Sequence, residues 1–321
     1  MPTKILITGA SGFLGQALIS TLSADKQWQI TAVTRTAIAN LPDGVCPFLL
    51  TGIDATTDWS TVLDVDVVIH AAARVHVMNE RAENPLALFR EVNTAGTLNL
   101  ARQAATSGVK RFIFISSVKV NGESTAAGER FTADGPCSPS DPYGVSKFEA
   151  EQGLIELGAS SGMEIVIIRP VLVYGPGVKA NFLQLMRILR SGLPMPLGAV
   201  NNSRSLVSLY NLVDLIRVCT DHPAAANQTF LVSDGEDVST TELARRIVKL
   251  SGSKTWLIPV SEYLIFALAK VAGRESAARR VLGSLQVDIS KTRTLLNWSP
   301  PVPLDEGLRQ TVDHFMKTDK R

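Results

Sequence analysis

The sequence predicts an α/β fold in which one parallel sheet is covered by helices on both faces. Short apolar runs rich in β-branched residues alternate with helical patterns through the first 170 residues; the strand-like runs are KILITG, QITAVTR, VDVVIHAAA, RFIFISS and MEIVIIRP. Continuous apolar strands between helices are typical of parallel sheets buried on both faces. Right-handed crossovers between such strands produce a doubly wound sheet.

The pattern changes after Pro170. The stretches VYGPGVKANF and SGLPMPLGAVNNSRS are rich in Gly, Pro and Asn and therefore predict loops. Helical patterns recur beyond them, and strand-like pieces near residues 205–209 and 229–232 are candidates to return to the sheet or its edge. We predict a large domain over residues 1–170, with returning segments near 205–235, and a smaller, interrupted α/β domain over residues 171–321.

Composition excludes several classes of protein. The chain has 321 residues, 45% of them hydrophobic, which is ample for a large buried core. Lys and Arg number 32 against 30 Asp and Glu, so there is no basic field to favour nucleic acid as a partner. Three cysteines without a close pair argue against disulfides and against a metal site. Because the N-terminus enters a strand at once, we expect no signal peptide and a cytoplasmic protein.

The most apolar segment lies at residues 256–273. Pro259, Glu262 and Lys270 interrupt it, so a membrane-spanning helix is not expected. We expect a helix buried in the core. Peripheral contact with a membrane surface is the alternative.

The stretch TGASGFLG follows the first strand and opens the first helix. Gly9, Gly12 and Gly15 allow a tight turn, close approach of the backbone to a pyrophosphate, and close packing of helix on strand. The free N–H groups and dipole of the helix N-terminus favour phosphate. This position in a βαβ unit predicts that the large domain binds a dinucleotide, as in Rossmann folds. A purely structural turn is the alternative.

The end of the second strand predicts which dinucleotide is used. NAD-binding folds usually place an acid there for the ribose 2′-hydroxyl, but this chain has Arg35 and no acid until Asp43. A guanidinium pairs with a 2′-phosphate, so NADP(H) is favoured and NAD(H) is the alternative. If NAD(H) is used, Arg35 stacks on adenine or points to solvent. Asp54 is a candidate contact for the adenine amine, or a surface residue.

The stretch DPYGVSKFEAEQ places Tyr143 and Lys147 four residues apart, on one face of a predicted helix. An ammonium and an oxidised nicotinamide would lower the phenol pKa from its usual value near ~10. Ser116 and Ser117 end a strand, where ligands bind in open α/β sheets. A solvated helix face is the simpler interpretation of the Tyr and Lys spacing alone, but the serines and the glycine loop together favour catalysis.

The chain resembles the extended short-chain dehydrogenases/reductases of the NAD(P)-dependent nucleotide-sugar epimerase/dehydratase superfamily. The motifs that carry the resemblance follow the family's order over nearly the whole chain: TGASGFLG, DVVIHAAA, VNTAGTLNLA, FIFISSVKVNG, DPYGVSKFEAE, IIRPVLVYGPG, RSLVSLYNLVDLI and DISKTRTLLNW. The resemblance implies an enzyme that is a homodimer, binds a UDP-sugar and needs no metal. Its large domain would bind the cofactor and its smaller domain the substrate.

The resemblance also implies roles for individual residues. Tyr143 is the acid/base, Lys147 binds the nicotinamide ribose, and Ser117 completes the catalytic group. Asn93 supports the active site. Together with the contacts predicted from the residues themselves, the full set of predicted cofactor contacts also includes Gly9, Ser11, Gly12, Phe13, Leu14, Gly15, Arg35, Asp54, Ala71, Ala72, Ala73 and Pro170. The substrate contacts implied are Lys119, Asn181, Arg204 and Arg280, with Arg279 an alternative to Arg280.

Departures from the family pattern narrow the expected reaction. Dehydratases carry Asp-Glu after the catalytic hydroxyl, where this chain has Val118 and Lys119. Epimerases commonly read VYG where this chain reads VNG, with Asn121, and they retain NAD, which Arg35 does not suit. The pattern is most similar to 4-reductases that form UDP-N-acetylquinovosamine from a UDP-4-keto-6-deoxy-N-acetylhexosamine, for surface polysaccharide. The alternatives are a UDP-glucose or UDP-N-acetylglucosamine 4-epimerase with bound NAD and a non-catalytic nucleotide sensor.

Overall fold

The computed structural model describes residues 2–38, 40–75 and 84–319, and in this part of the chain seven parallel strands form one sheet in the order β3-β2-β1-β4-β5-β6-β9. The strands are β1 (Thr3–Thr8), β2 (Trp28–Thr34), β3 (Val45–Leu49), β4 (Val67–His70), β5 (Arg111–Ile115), β6 (Glu164–Pro170) and β9 (Gln228–Val232). The chain runs outward from β1 to β3 and then returns to β4. The point between β1 and β4 is therefore where a doubly wound sheet binds its ligand. The predicted fold class is confirmed.

Helices cover both faces of this sheet because alternate strand residues point to opposite sides. Ile5 and Ile7 of β1 pack with α1 (Phe13–Leu22) and α6 (Leu209–Asp221). Leu6, between them, packs with α3 (Thr97–Thr106) and α4 (Pro142–Ser161). Strands β4 and β5 are buried along their whole length, as their mostly apolar sequences predict.

The helix that precedes α3 is irregular. A short α2 (Pro85–Phe89) continues through a π-helical segment, Arg90–Gly96, into α3. Wide π-helical turns inside α-helices frequently occur at functional sites. Here the wide turn carries the buried side chain of Asn93.

The remaining strands form a separate three-stranded sheet, β10-β8-β7. Its strands are β7 (Leu172–Tyr174), β8 (Arg204–Ser208) and β10 (Asp237–Val238). The helices of this half are α5 (Ala180–Arg190), α7 (Thr240–Ser251), α8 (Glu262–Val271), α9 (Glu275–Leu282), α10 (Ser290–Leu296) and α11 (Leu304–Thr318). Side chains of α5, α7 and α11 form a core of their own with Tyr174. The division into two domains stays a prediction.

One buried carboxylate joins the two sheets. Asp234 follows β9 and accepts hydrogen bonds from the Tyr174 hydroxyl (2.7 Å), the Ser208 backbone N–H (2.8 Å) and the Asn211 amide (2.6 Å). Burial raises the pKa of Asp234, and these three donors oppose that rise. The last strand of the main sheet is thereby tied to two strand ends of the small sheet.

The expectation of a buried helix within residues 256–273 is wrong. Helix α8 has no buried residue, because it lies on the surface and only one side of it packs on the rest of the protein. Within the described ranges, the structure contains no helix that is long and apolar enough to cross a bilayer.

Candidate active site

The glycine loop lies against the end of β4. Gly9 has a φ of +69°, and a Cβ added to it would lie 2.8 Å from the Ala72 nitrogen. A Cβ on Gly15 would overlap the Gly9 carbonyl oxygen and lie 2.7 Å from Ala10 Cα. Gly12 is the capping residue of α1 and makes no side-chain hydrogen bond to the first N–H groups of that helix. The loop thus has the close packing and the open helix terminus that suit a phosphate group.

The other loop residues predicted to contact a cofactor lie around this helix terminus. Ser11 is exposed, and Phe13 and Leu14 are half-buried. Ser11 and Phe13 line a cleft of about 330 Å³, and Pro176 and Lys179 also line it. The cleft lies beside the helix terminus, so these positions are compatible with the predicted contacts.

A buried histidine supports the loop from beneath. The Ala72 N–H donates to Thr8 Oγ1 (3.2 Å), and the Thr8 hydroxyl is 2.7 Å from His70 Nδ1. The neutral tautomer with its proton on Nε2 satisfies the network, since Nδ1 then accepts from Thr8 and Nε2 donates to Thr97 Oγ1 (2.9 Å). Burial, and secondarily the charge of Lys147, lower the pKa of His70 to about 3.

This histidine should make the fold sensitive to acid. The unfolded chain protonates His70 near pH ~6.5, whereas the folded chain does so only near pH 3. As the pH falls from 6.5 toward 3, the unfolded state binds the extra proton, so His70 lowers the free energy of unfolding by at most about 1.4 kcal/mol per pH unit. Urea denaturation at pH 7 and pH 5 should show a smaller loss of stability for His70→Gln than for wild type. His314→Gln on α11 is the control. Equal losses in wild type and His70→Gln would contradict the assignment.

Asn93 fixes the chain that follows β4. Its Oδ1 accepts from the Arg74 N–H (2.8 Å), and its Nδ2 donates to the Arg74 carbonyl (3.0 Å) and to Ser146 Oγ (3.0 Å). The segment that contains Ala71, Ala72 and Ala73 is thus held between the glycine loop and α4. Asn93 is fully buried, and its hydrogen bonds therefore stabilise the structure around the site.

The remaining predicted cofactor contacts lie at strand ends on the same edge of the sheet. Arg35 is exposed directly after β2. Asp54 lies in the loop after β3, where its Oδ1 accepts from the Thr56 N–H (2.8 Å) and hydroxyl (2.8 Å). Pro170 ends β6 and is buried. Arg35 is accessible to a cofactor, and Asp54 already shapes its own loop.

The first turn of α4 is held by its capping residue. Asp141 Oδ1 accepts from the Gly144 N–H (2.6 Å), Pro142 occupies the first turn, and Asp141 Oδ2 pairs with Lys119. The ring of Tyr143 lies edge-on to buried Phe89, with 6.1 Å between centroids. Ser146 Oγ donates to the Tyr143 carbonyl (2.8 Å). Tyr143 is therefore fixed at the N-terminus of a long helix.

Lys147 lies deeper in the same helix. Its Nζ donates to the Ile115 carbonyl at the end of β5 (2.8 Å) and lies 4.3 Å from the Phe114 ring centroid. Burial lowers the pKa of Lys147 to about 7, although the charge of Glu151 opposes this. Burial, and then Asp141, raise the pKa of Tyr143 above its ordinary value. We expected Lys147 to lower the pKa of Tyr143, but in the protein without a cofactor this pKa is raised.

The two serines after β5 differ in orientation. Ser117 is half-exposed, and its Oγ accepts from the Lys119 N–H (3.2 Å). Ser116 is buried and donates to Glu151. Successive residues of an extended chain point to opposite sides, so only Ser117 faces the side where a substrate can bind.

The sequence did not reveal the buried ion pair behind these serines. Glu151 Oε2 lies 2.5 Å from an Arg169 guanidinium nitrogen, and Arg169 Nη1 also donates to Asn121 Oδ1 (3.2 Å). Two features of the sequence could have indicated this ion pair. Glu151 lies four residues after Lys147, and Arg169 is a charged residue in an otherwise apolar stretch of a strand. Asn121 has a structural role here, since its amide also donates to the Thr132 carbonyl (3.1 Å).

The structure places the predicted substrate residues on four separate elements. Lys119 is ion-paired with Asp141, and Asn181 is exposed at the start of α5. Arg204 Nη1 donates to the carbonyls of Arg280 (2.6 Å) and Gly283 (3.0 Å), and burial lowers its pKa. The side chain of Arg280 is exposed, whereas Arg279 pairs with Glu275 and stacks on Phe266. Arg280 is therefore better placed than Arg279 to meet a ligand, and its contact stays a prediction.

A glycine loop at the switch point, with a serine at a strand end and a Tyr-x-x-x-Lys helix beside it, defines the extended short-chain dehydrogenase/reductase class. The sequence model of the NAD dependent epimerase/dehydratase family matches residues 5–233. The chain belongs to this family, and the predicted enzyme class is confirmed.

Individual relatives narrow the comparison. The UDP-glucose 4-epimerase of Vibrio cholerae is 50% identical over 323 residues, covering 100% of this chain and 98% of the relative. The N-acetyl-alpha-D-glucosaminyl-diphospho-ditrans,octacis-undecaprenol 4-epimerase of Escherichia coli O157:H7 is 26% identical and covers 98% and 96% of the two chains. The solved UDP-glucuronic acid 4-epimerase from Bacillus cereus, in complex with NAD, has a TM-score of 0.80 at 22% identity, covering 99% and 100% of the chains.

Proposed function

We propose that this protein is a UDP-sugar 4-epimerase that retains NAD and interconverts UDP-glucose and UDP-galactose. The observation that carries the proposal is the 50% identity, over the full chain, to a UDP-glucose 4-epimerase, together with the arrangement of Ser117, Tyr143 and Lys147. The comparisons favour this interpretation over the 4-reductase that the sequence suggested, and they do not support the preference for NADP.

The two sequence arguments against an epimerase are weak in the structure. Asn121 binds Arg169 and the Thr132 carbonyl, so its departure from the VYG pattern serves the packing behind the site. Arg35 is exposed, and a guanidinium in that position is compatible with stacking on adenine as well as with a 2′-phosphate. Asn121 therefore does not exclude an epimerase, and Arg35 does not exclude NAD.

The geometry of the glycine loop between β1 and α1 suits a dinucleotide, and we call this loop the phosphate cradle. Cβ atoms at Gly9 and Gly15 would fill it, and the capping residue Gly12 makes no side-chain hydrogen bond to the first turn of α1. Bound NAD would supply a hydride acceptor that takes hydrogen from C4 of the sugar and returns it to the opposite face. Lys147 would hold the nicotinamide ribose.

The chain's own residues would move the proton. Tyr143 would take the proton of the C4 hydroxyl as the C4 ketone forms and return it after the sugar has turned. Ser117 would hydrogen-bond the same oxygen and hold it in place. Because burial raises the pKa of Tyr143, the positive charges of Lys147 and the oxidised nicotinamide are needed to bring it into range.

Arg204 is the best candidate for the sugar diphosphate. Among the residues that the structure describes, no carboxylate pairs with its partly buried guanidinium, which has only carbonyl acceptors. A diphosphate would supply the missing negative charge. We further propose a homodimer, in which α4 and the helix of residues 85–106 form the interface.

The proposal is tested with purified protein and no added cofactor. UDP-galactose should form from UDP-glucose with no net change in absorbance at the NADH band, and denatured protein should release NAD. The result would instead support a 4-reductase if the protein consumed NADPH with a UDP-4-keto-6-deoxy-N-acetylhexosamine and did not interconvert UDP-glucose and UDP-galactose. Binding of nucleotide without either activity would indicate the sensor.

A further inference from the structure

Helix α8 exposes an unusual amount of apolar surface. Tyr263 is 84% exposed, Leu268 62% and Val271 90%, and Leu264 is also exposed. Leu264, Leu268 and Val271 recur at i, i+4 and i+7, so they form one stripe along the helix. A contiguous stripe of this kind on a helix commonly marks an interaction site.

The opposite side of α8 is anchored, which fixes the direction of the stripe. The Arg279 guanidinium of α9 lies 5.1 Å from the Phe266 ring centroid, and Glu262 accepts from the Asn201 N–H (2.8 Å). Ser261 caps the helix with its side chain. The apolar stripe therefore faces away from the protein.

Exposed aromatic and aliphatic side chains also occur in the chain that leads into the helix. Trp256, which is 67% exposed, and Leu193 lie on two adjoining segments. These segments are joined by hydrogen bonds from the Met195 N–H to the Trp256 carbonyl (2.9 Å) and from the Ile258 N–H to the Met195 carbonyl (2.8 Å). The stripe, Tyr263 and these two side chains together are called the α8 surface below.

The segment that contains α8 has more basic than acidic residues, unlike the rest of the chain. Residues 251–283 contain five Lys and Arg against two Asp and Glu, whereas the rest of the chain contains 27 against 28. Both acids of the segment are engaged, Glu262 by a backbone N–H and Glu275 by Arg279. Lys270 and Arg274 are exposed in and directly after the helix.

We propose that the α8 surface docks on the anionic surface of a lipid bilayer. An exposed apolar stripe with aromatic side chains and flanking basic residues is the pattern of a helix that lies in the membrane interface. Tyr and Trp suit that region because one end of each ring is apolar and the other polar. Lys270 and Arg274 would face the lipid phosphates.

Charge argues against a second copy of the chain as the occupant. A two-fold contact brings the same patch of both copies together, so the excess positive charge of this segment would meet the same excess on the other copy. An anionic bilayer removes that repulsion.

The test is co-sedimentation of the full chain with vesicles. Wild type should sediment with vesicles of phosphatidylcholine and phosphatidylglycerol, should do so less in high salt, and should stay in solution with phosphatidylcholine alone. Leu268→Glu should weaken binding to the mixed vesicles by roughly tenfold or more. Met316→Glu, which places the same charge at an exposed apolar position of α11, should bind as wild type does.

A second pair of variants isolates the charge. Lys270→Glu combined with Arg274→Glu should abolish the preference for anionic vesicles, whereas Lys317→Glu should retain it. Circular dichroism and activity on a soluble substrate should be unchanged in all four variants. Wild type that ignores both kinds of vesicle, or Leu268→Glu that binds normally, would overturn the proposal. It would also be overturned if Leu268→Glu altered only self-association in sedimentation velocity.

Discussion

Replacement of Tyr143 by Phe should lower turnover by roughly two to four orders of magnitude, the usual contribution of a positioned acid or base. The phenol oxygen is the group that would exchange a proton with the C4 oxygen. The ring contact with Phe89 does not need the hydroxyl, and no other described residue hydrogen-bonds it. The variant should therefore keep its fold and its nucleotide. Turnover, released NAD and thermal unfolding measured on one preparation test all three expectations.

Tyr263→Phe is the matched control for that variant. It removes the same hydroxyl from an exposed residue on α8, away from the candidate active site, and should leave turnover unchanged. Near-normal turnover in Tyr143→Phe would remove the tyrosine from the mechanism. Loss of nucleotide along with turnover would instead assign Tyr143 to binding.

Gly15→Ala should lose both bound nucleotide and stability. The added Cβ would overlap the Gly9 carbonyl oxygen and approach Ala10 Cα to 2.7 Å, and both are backbone atoms that cannot rotate away. Overpacking of this kind typically destabilises a protein by about 1–3 kcal/mol. The loop must also shift from the helix terminus, which would disrupt the phosphate cradle. Thermal unfolding and the NAD released on denaturation measure the two effects.

Gly52→Ala is the matched control for the loop. Its added Cβ would meet only Asp54 Oδ2, at the ordinary distance of 3.9 Å, so stability and nucleotide content should match wild type. A Gly15→Ala protein with the wild-type melting temperature and NAD content would show that the loop tolerates a side chain. Close packing would then not explain its glycines.

The fold was predictable because each level of the sequence pointed to the same structure. The unbroken apolar run of β5 is buried on both sides, and the glycines of the first loop lie between β1 and α1. The position of Tyr143 and Lys147 on one helix followed from their spacing and from Pro142. Local patterns of this kind determine local structure, and the parallel topology then brings the strand ends together.

The support behind the site was not predictable, because it depends on contacts between distant segments. Glu151 and Arg169 form an ion pair that the sequence separates into a helix and a strand. The prediction of a buried helix within residues 256–273 was wrong for a different reason. Their hydrophobicity is typical of a buried helix, but whether a helix is buried depends on what packs against it, which the hydrophobicity of the segment does not show.

The carboxylate of Asp234 has a consequence for motion. It joins the last strand of the main sheet to Tyr174 and to Ser208 at the ends of the small sheet, with three hydrogen bonds in a buried setting. Breaking them together would leave a buried carboxylate without donors, which is expensive. We therefore expect no hinge at this seam. Access of a sugar nucleotide to the site should depend on local movement of loops and peripheral helices, while the two sheets move as one body.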